Sequence, residues 1–261
     1  MVSPGELSHS FWITVKKGAE AAGKDFLAHV IRKGPAVEAD ITDQIAILED
    51  YINKRVDAIV LAACDTKALI PVVEKAHRKG IKIITIDSGL DLPVPISFIA
   101  TDNVTAAKKA AHVPGELVNR QGKVACIPLV PGAATSIMRE EGSKQGLKDF
   151  PKIKRIAVQY SQGDVATAMN VMENILTAHP DLNGVFTANE AGTIGAVQAL
   201  VSRNKTEQVK VMGFDAAPNE IEALKAIHVQ ALNFSKSIQN GRQKCANGCS
   251  GVLRKDNSQM N

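Results

Sequence analysis

From residue 56 onward, short apolar runs alternate with segments of helical period. The runs are VDAIVLAA (56–63), IKIITID (81–87), GKVACIPLV (122–130), KRIAVQ (154–159), GVFTAN (184–189) and VKVMGFD (209–215). They are rich in Val and Ile, as strands buried on both faces are. Helices are predicted between them over residues 42–53, 67–79, 103–118, 136–147, 165–178, 190–203 and 218–226, where apolar positions recur at helical spacing. In the first, Ile45, Leu48 and Ile52 form one stripe behind Thr42, the expected N-cap. Gly80, Gly122, Gly184 and Gly213 punctuate the connections. This alternation predicts an α/β fold built on parallel sheet covered on both faces. Pro114 interrupts one helix, where a lost hydrogen bond and a ring clash cost about 3 kcal/mol unless the helix kinks or ends.

In open parallel sheets, ligands bind beyond the carboxyl ends of the strands. Those ends are polar here: Asp65, Asp87, Asn189 and Asp215 each follow an apolar run. One such residue is commonly a helix cap or turn former. Four at equivalent topological positions point to a shared cleft. An uncharged polyol suits the inventory, because carboxylates and amides meet hydroxyls in fixed directions and an Arg fork donates several hydrogen bonds. Arg139 supplies the fork. Phe11 and Trp12 supply aromatic faces for a sugar ring, with core packing as the competing reading of that pair.

The composition narrows the function classes. Of 261 residues 45% are hydrophobic, enough for one or two packed lobes, and no apolar run approaches the roughly 20 residues of a membrane-spanning helix. The net charge of +4 invites a nucleic-acid partner, but the basic excess sits in residues 233–261, which hold Lys236, Arg242, Lys244, Arg254 and Lys255 against Asp256 alone. The remainder is neutral, so no nucleic-acid footprint is expected. Cys64, Cys126, Cys245 and Cys249 lack C-x-x-C spacing, and His9, His29, His77, His112, His179 and His228 lack metal-ligand spacing. No G-x-S-x-G elbow, Walker A loop, H-E-x-x-H or G-x-G-x-x-G motif occurs. The expectation is therefore a binding protein rather than an enzyme, with no cofactor and no metal.

The segments LSHSFWITVKKGAEAAGKDF, VDAIVLAACDTKALIPVVEKA, GIKIITIDSGL, FIATDN, PGAATSIMREEGSKQGL, NVMENILTAHPDLNGVFTANE and VMGFDAAPNEIEALK resemble the ribose-type sugar-binding proteins of bacterial ATP-driven importers. The resemblance covers nearly all of residues 7–232. It implies the type I periplasmic binding protein fold, with two doubly wound parallel-sheet lobes (1–102 and 103–232), a sugar in the cleft between them and closure by a hinge motion. It also implies a monomer that delivers a monosaccharide to the permease of an ABC importer, in the periplasm or anchored at the cell surface, although the chain shows no signal peptide. Residue by residue, Phe11 and Trp12 look like stacking aromatics, and His9 stands where an Asn ligand is frequent. Asp87, Asn103, Arg139, Asn189 and Asp215 match hydrogen-bonding positions. Ala62 and Gly163 replace residues that are polar and aromatic in some members, which bears on the choice of sugar. A sugar-sensing domain of a regulator or receptor would share the fold; a repressor would need a helix-turn-helix segment before residue 1.

Two family features are expected to be missing: most of the first strand, before Phe11, and the ending after Leu232. Residues 233–261 show no helical period and read as an aberrant, disordered tail. A frameshift accounts for it. NFSKSIQNGR can be written AAT TTC TCA AAA TCC ATA CAA AAT GGG AGA, and the same bases read one position later encode ISQNPYKMG, a family-type ending with its ligand Gln. Further along, DKSVQMAVAVFSGKTIPK is permitted, and the Met260–Asn261 codons force a TGA stop in that frame. Weak or absent sugar binding and marginal stability are expected of the chain as written. Sequencing the coding DNA checks this: deleting one base after the Leu232 codon should open a frame encoding a QNPYKMG-like segment, and its absence refutes the frameshift.

Overall fold

In the computed structural model, which describes residues 10–235 and 250–254, all six apolar runs contain strands and all seven predicted helices form. The chain divides into two units, each with its own sheet. Residues 10–101 and 130–135 make the first. It holds α1 (Ser10–Asp25), α2 (Ile41–Asn53), β1 (Ala58–Leu61), α3 (Ile70–Arg78), β2 (Lys82–Ile86) and β3 (Ser97–Ile99), with the strands parallel in the order β1-β2-β3. Its core packs Leu48, Tyr51 and Ile52 of α2 and Val72, Val73 and Ala76 of α3 against Ile59, Leu61 and Ile83 of the sheet.

The second unit comprises 102–129, 136–235 and 250–254 among the described residues. Its elements are α4 (Asn103–Leu117), β4 (Gln121–Ile127), α5 (Ala134–Leu147), β5 (Lys152–Val158), α6 (Val165–Ala178), β6 (Gly184–Thr187), α7 (Glu190–Ser202), β7 (Lys210–Phe214), α8 (Pro218–Lys225), β8 (Ala231–Ser235) and β9 (Ser250–Arg254). The sheet order is β5-β4-β6-β7-β8-β9, with the first five strands parallel and β9 antiparallel to β8. Parallel pairing demands a crossover between strands, which is why a helix separates each successive parallel pair from β4 to β8. β6 is buried along its whole length.

Four details differ from the sequence expectations. The cap of α2 is Asp40 rather than Thr42: Asp40 Oδ1 accepts the Asp43 N–H at 2.8 Å, and a carboxylate at a helix N-terminus also meets the positive end of the dipole. α4 runs through Pro114 to Leu117, so the proline sits in the last turn, where little helix remains beyond it to misalign. α1 and β3 had no predicted counterpart. The tail expected to be disordered supplies Asn233–Ser235 to β8 and all of β9, because β7 offers an edge that an extended segment can pair with. Residues 236–249 and 255–261, with the Cys245–Cys249 pair, lie outside the described residues.

One packing contact places the site. Arg139, Gly142 and Gly146 lie on one face of α5, at i, i+3 and i+7. A β-carbon on Gly142 would come within 2.9 Å of the Ala107 β-carbon, and one on Gly146 within 2.9 Å of that of Ala111, both on α4. The two glycines let the helices approach closely and so bring Arg139 to the start of α4. Filling that contact, as in Gly142→Leu, should destabilise the protein by about 1–3 kcal/mol, read as a lower urea midpoint at unchanged slope.

Candidate functional site

Asp102 caps α4, its Oδ1 accepting the Thr105 N–H at 3.0 Å, which makes Asn103 the first helical residue and buries it almost completely. Arg139 meets it there: Nε donates to Asn103 Oδ1 at 2.9 Å and Nη1 to the Ala188 carbonyl at 2.6 Å. The guanidinium carbon stands 3.9 Å from the centre of the Phe214 ring, over its face. A cation only 5% exposed is tolerable because two acceptors and a π-face replace its water.

Asp215 follows Phe214 directly. Its backbone is left-handed at φ 88°, its N–H donates to the Asn233 carbonyl at 2.7 Å, and its Oδ2 accepts the Glu190 N–H at 3.3 Å, at the N-terminus of α7. It is half-buried. Loss of solvent raises its carboxyl pKa; the Arg139 charge and the Glu190 N–H pull the other way. Arg139 and Asp215 attract each other without a salt bridge at 4.0 Å or less.

Asn189, just past the end of β6, has a different role. Its Oδ1 accepts the Gly192 N–H at 2.9 Å, capping α7, and its carbonyl accepts from Thr193 Oγ1 at 2.8 Å. Asn103, Arg139 and Asp215 thus form one cluster with Asn189 beside them, all within the second unit.

In the first unit, Phe11 and Asp87 line the same cavity of about 1170 Å³, walled mainly by apolar groups that include Gly18 and Ala22 of α1, Val60 of β1 and Ile84 of β2. Asp87 is left-handed at φ 56° and donates its N–H to the Ile99 carbonyl at 2.9 Å. Trp12 packs edge-on to Phe11, centroids 4.8 Å apart, but is 3% exposed and gives its indole N–H to Glu38 Oε1 at 3.0 Å. Asp65 forms a turn, Oδ1 accepting the Lys67 and Ala68 N–H groups, both at 2.8 Å. His9 lies outside the described residues. Among the described residues no cluster of His, Cys, Asp or Glu side chains is placed to hold a metal, and no helix is long and apolar enough to cross a membrane.

Three polar residues that shape these loops had not been singled out. Gln44, fully buried, accepts the Cys64 N–H and donates to the Ala62 carbonyl, both at 3.0 Å, clamping the chain as it leaves β1. A glutamine inside an apolar helix stripe is the signal that could have found it. Asn233 holds the Asp215 backbone and gives Nδ2 to the Ala106 carbonyl at 3.2 Å; it stands one residue past Leu232, where the regular pattern was taken to stop. Glu220, third residue of α8, is fully buried with Oε2 accepting the Ala217 N–H at 2.9 Å.

The chain matches the periplasmic binding protein domain over residues 1–246. It belongs to that family. It is 30% identical to the D-allose-binding periplasmic protein of Escherichia coli over 84% of this chain and 73% of that protein. It is 31% identical to the ribose import binding protein of Bacillus subtilis over 86% and 72%. The structure of an ABC transporter solute-binding protein from Agrobacterium vitis with bound D-fucose superposes with a TM-score of 0.91 at 32% identity, covering 99% of this chain and 96% of that one. These relatives of the periplasmic binding protein family are sugar-binding transport proteins, not enzymes.

Proposed function

We propose that this chain is the solute-binding component of an ABC sugar importer and holds a monosaccharide by hydrogen bonds and aromatic stacking. The observation that carries the reading is the Asn103–Arg139–Asp215 cluster: an amide, a cation and a carboxylate near the carboxyl ends of parallel strands, with Asn103 fixing Arg139 and no salt bridge joining Arg139 to Asp215. With Nε and Nη1 of Arg139 committed inward, its remaining donors are the ones left for a ligand hydroxyl, and the Asp215 carboxylate is the acceptor beside them. Relatives of the same fold are named for D-allose and ribose or were crystallised with D-fucose and D-arabinose, so a neutral pentose or hexose is the substrate class.

In this reading Phe11 presents an aromatic face with Trp12 behind it, Asp87 and His9 contribute from the first unit, and Asn189 shapes the mouth of α7. The two units close on the sugar by a hinge motion, and the loaded monomer delivers it to a membrane permease outside the cytoplasm.

Calorimetry with D-ribose, D-allose, D-arabinose and D-fucose tests the site. Arg139→Ala and Asp215→Ala should each cost about 1.5–3 kcal/mol of binding, roughly ten- to a hundredfold in Kd, with little change in the unfolding midpoint for Asp215→Ala and a lowered one for Arg139→Ala, which leaves buried acceptors unpaired. Parent affinity in both variants would remove this site.

The tail bears on absolute affinity. A chain rewritten after Leu232 in the shifted reading frame should bind the preferred sugar more tightly than the chain as written, shown by a larger sugar-induced rise in Tm. Equal shifts would show that the altered ending costs nothing in binding.

A further inference from the structure

Glu220 has no part in the sugar contacts above, yet it is the one carboxylate among the fully buried polar residues described. Its Oε2 accepts the Ala217 N–H as half of a capping box at the start of α8, and the methyl side chain of Ala217 returns no hydrogen bond. Its Oε1 is enclosed with no hydrogen-bond partner. A capping glutamate normally stands in water as an anion; this one is enclosed by protein.

The charges facing it are of the wrong sign. Asp215 at the end of β7 and Glu190 at the start of α7 both oppose a negative charge on Glu220. From α7, Thr193 favours the charged form, as does the Ala217 N–H, but the Thr193 hydroxyl is engaged with the Asn189 carbonyl and with Thr187. The cation of α5, Arg139, acts on Asp215, and no salt bridge joins Glu220 to any described Lys, Arg or His. A carboxylate enclosed without a cation is far costlier than the neutral acid, whose one proton belongs on Oε1 because Oε2 is accepting. Burial and the Asp215 charge push its pKa well above the usual carboxylate range.

The turn that Glu220 ties down is the one that aims Asp215. Residues 214–217 leave β7, place Asp215 at its left-handed φ and enter α8 at Pro218, with the Ala217 N–H anchored from inside by Glu220. We propose that Glu220 is a positioning residue for Asp215: as an uncharged acid it fixes the β7–α8 turn from within, leaving Asp215 the only negative charge presented at the site by that turn. The consequence for sugar rests on Asp215 being a ligand; the consequence for the fold does not.

The test compares the parent chain with Glu220→Gln, Glu220→Ala and Asp215→Ala. The unfolded chain ionises Glu220 near its ordinary pKa of about 4.3, whereas the folded chain keeps it protonated to higher pH, so the parent loses stability as pH rises through that window. Glutamine keeps the acceptor and has no proton to lose. Relative to the parent, Glu220→Gln should therefore gain Tm as pH rises above about 4.3, and the Asp215 carboxyl, followed by 13C NMR, should titrate as in the parent. Glu220→Ala, without the acceptor, should displace the Asp215 titration. A Tm difference between Glu220→Gln and parent that is flat with pH overturns the uncharged acid; an Asp215 titration unmoved in Glu220→Ala overturns the positioning role. If Asp215→Ala binds D-ribose and D-allose like the parent, the ligand reading of Asp215 fails while the Glu220 profile stands on its own.

Discussion

The second unit is organised around a buried positive charge. Arg139 cannot stay ionised at 5% exposure unless its surroundings replace water, and each replacement places another part of the site. Asn103 is held at the first position of α4 as its acceptor, the Ala188 carbonyl is turned toward it at the end of β6, and the Phe214 ring lies under it. The guanidinium reaches these partners because α5 has no β-carbons at Gly142 and Gly146 and settles close to α4. A contact between two helices therefore determines the chemistry at the strand ends.

The carboxylates near that charge divide the work by environment. Asp215, half-buried, has its carboxyl pushed above the usual range by loss of solvent, with the Arg139 charge pulling against that rise. Glu220, five residues on, is sealed among like charges and serves structure. Helix caps and ligand positions overlap for the same physical reason: strand ends in parallel sheets face the N-termini of the following helices, where unpaired N–H groups attract oxygen. Asn189 illustrates this, since its side chain is occupied in capping α7 while its neighbour's carbonyl holds Arg139. Asp87 and Asp215, each in its own unit, both adopt left-handed backbone to turn away from their strands, a conformation that Asp tolerates better than most residues.

What the sequence determined by itself was set by local, repeating constraints. Doubly buried strands must be apolar runs and their crossover helices must carry apolar stripes, so the α/β class, six strands and seven helices could be read directly, while α1, β3, β8 and β9 could not. The polar residues ending those runs, Asp87, Asn189 and Asp215, were legible for the same reason. Tertiary structure alone decided what each does. Trp12 finds Glu38 across 26 positions, Gln44 locks Ala62 and Cys64, and Asn233 reaches Ala106 across 127 positions. Such partners share no periodicity, so no window along the chain reveals them. The burial of Glu220 was equally hidden: Pro-Asn-Glu opening a helix reads as a solvent-exposed cap, and only the packing of α8 against α7 and β8 removes its water. Hydrophobic pattern is written residue by residue, whereas the protonation state and partner of a polar group depend on the dielectric and charges that distant segments bring to it.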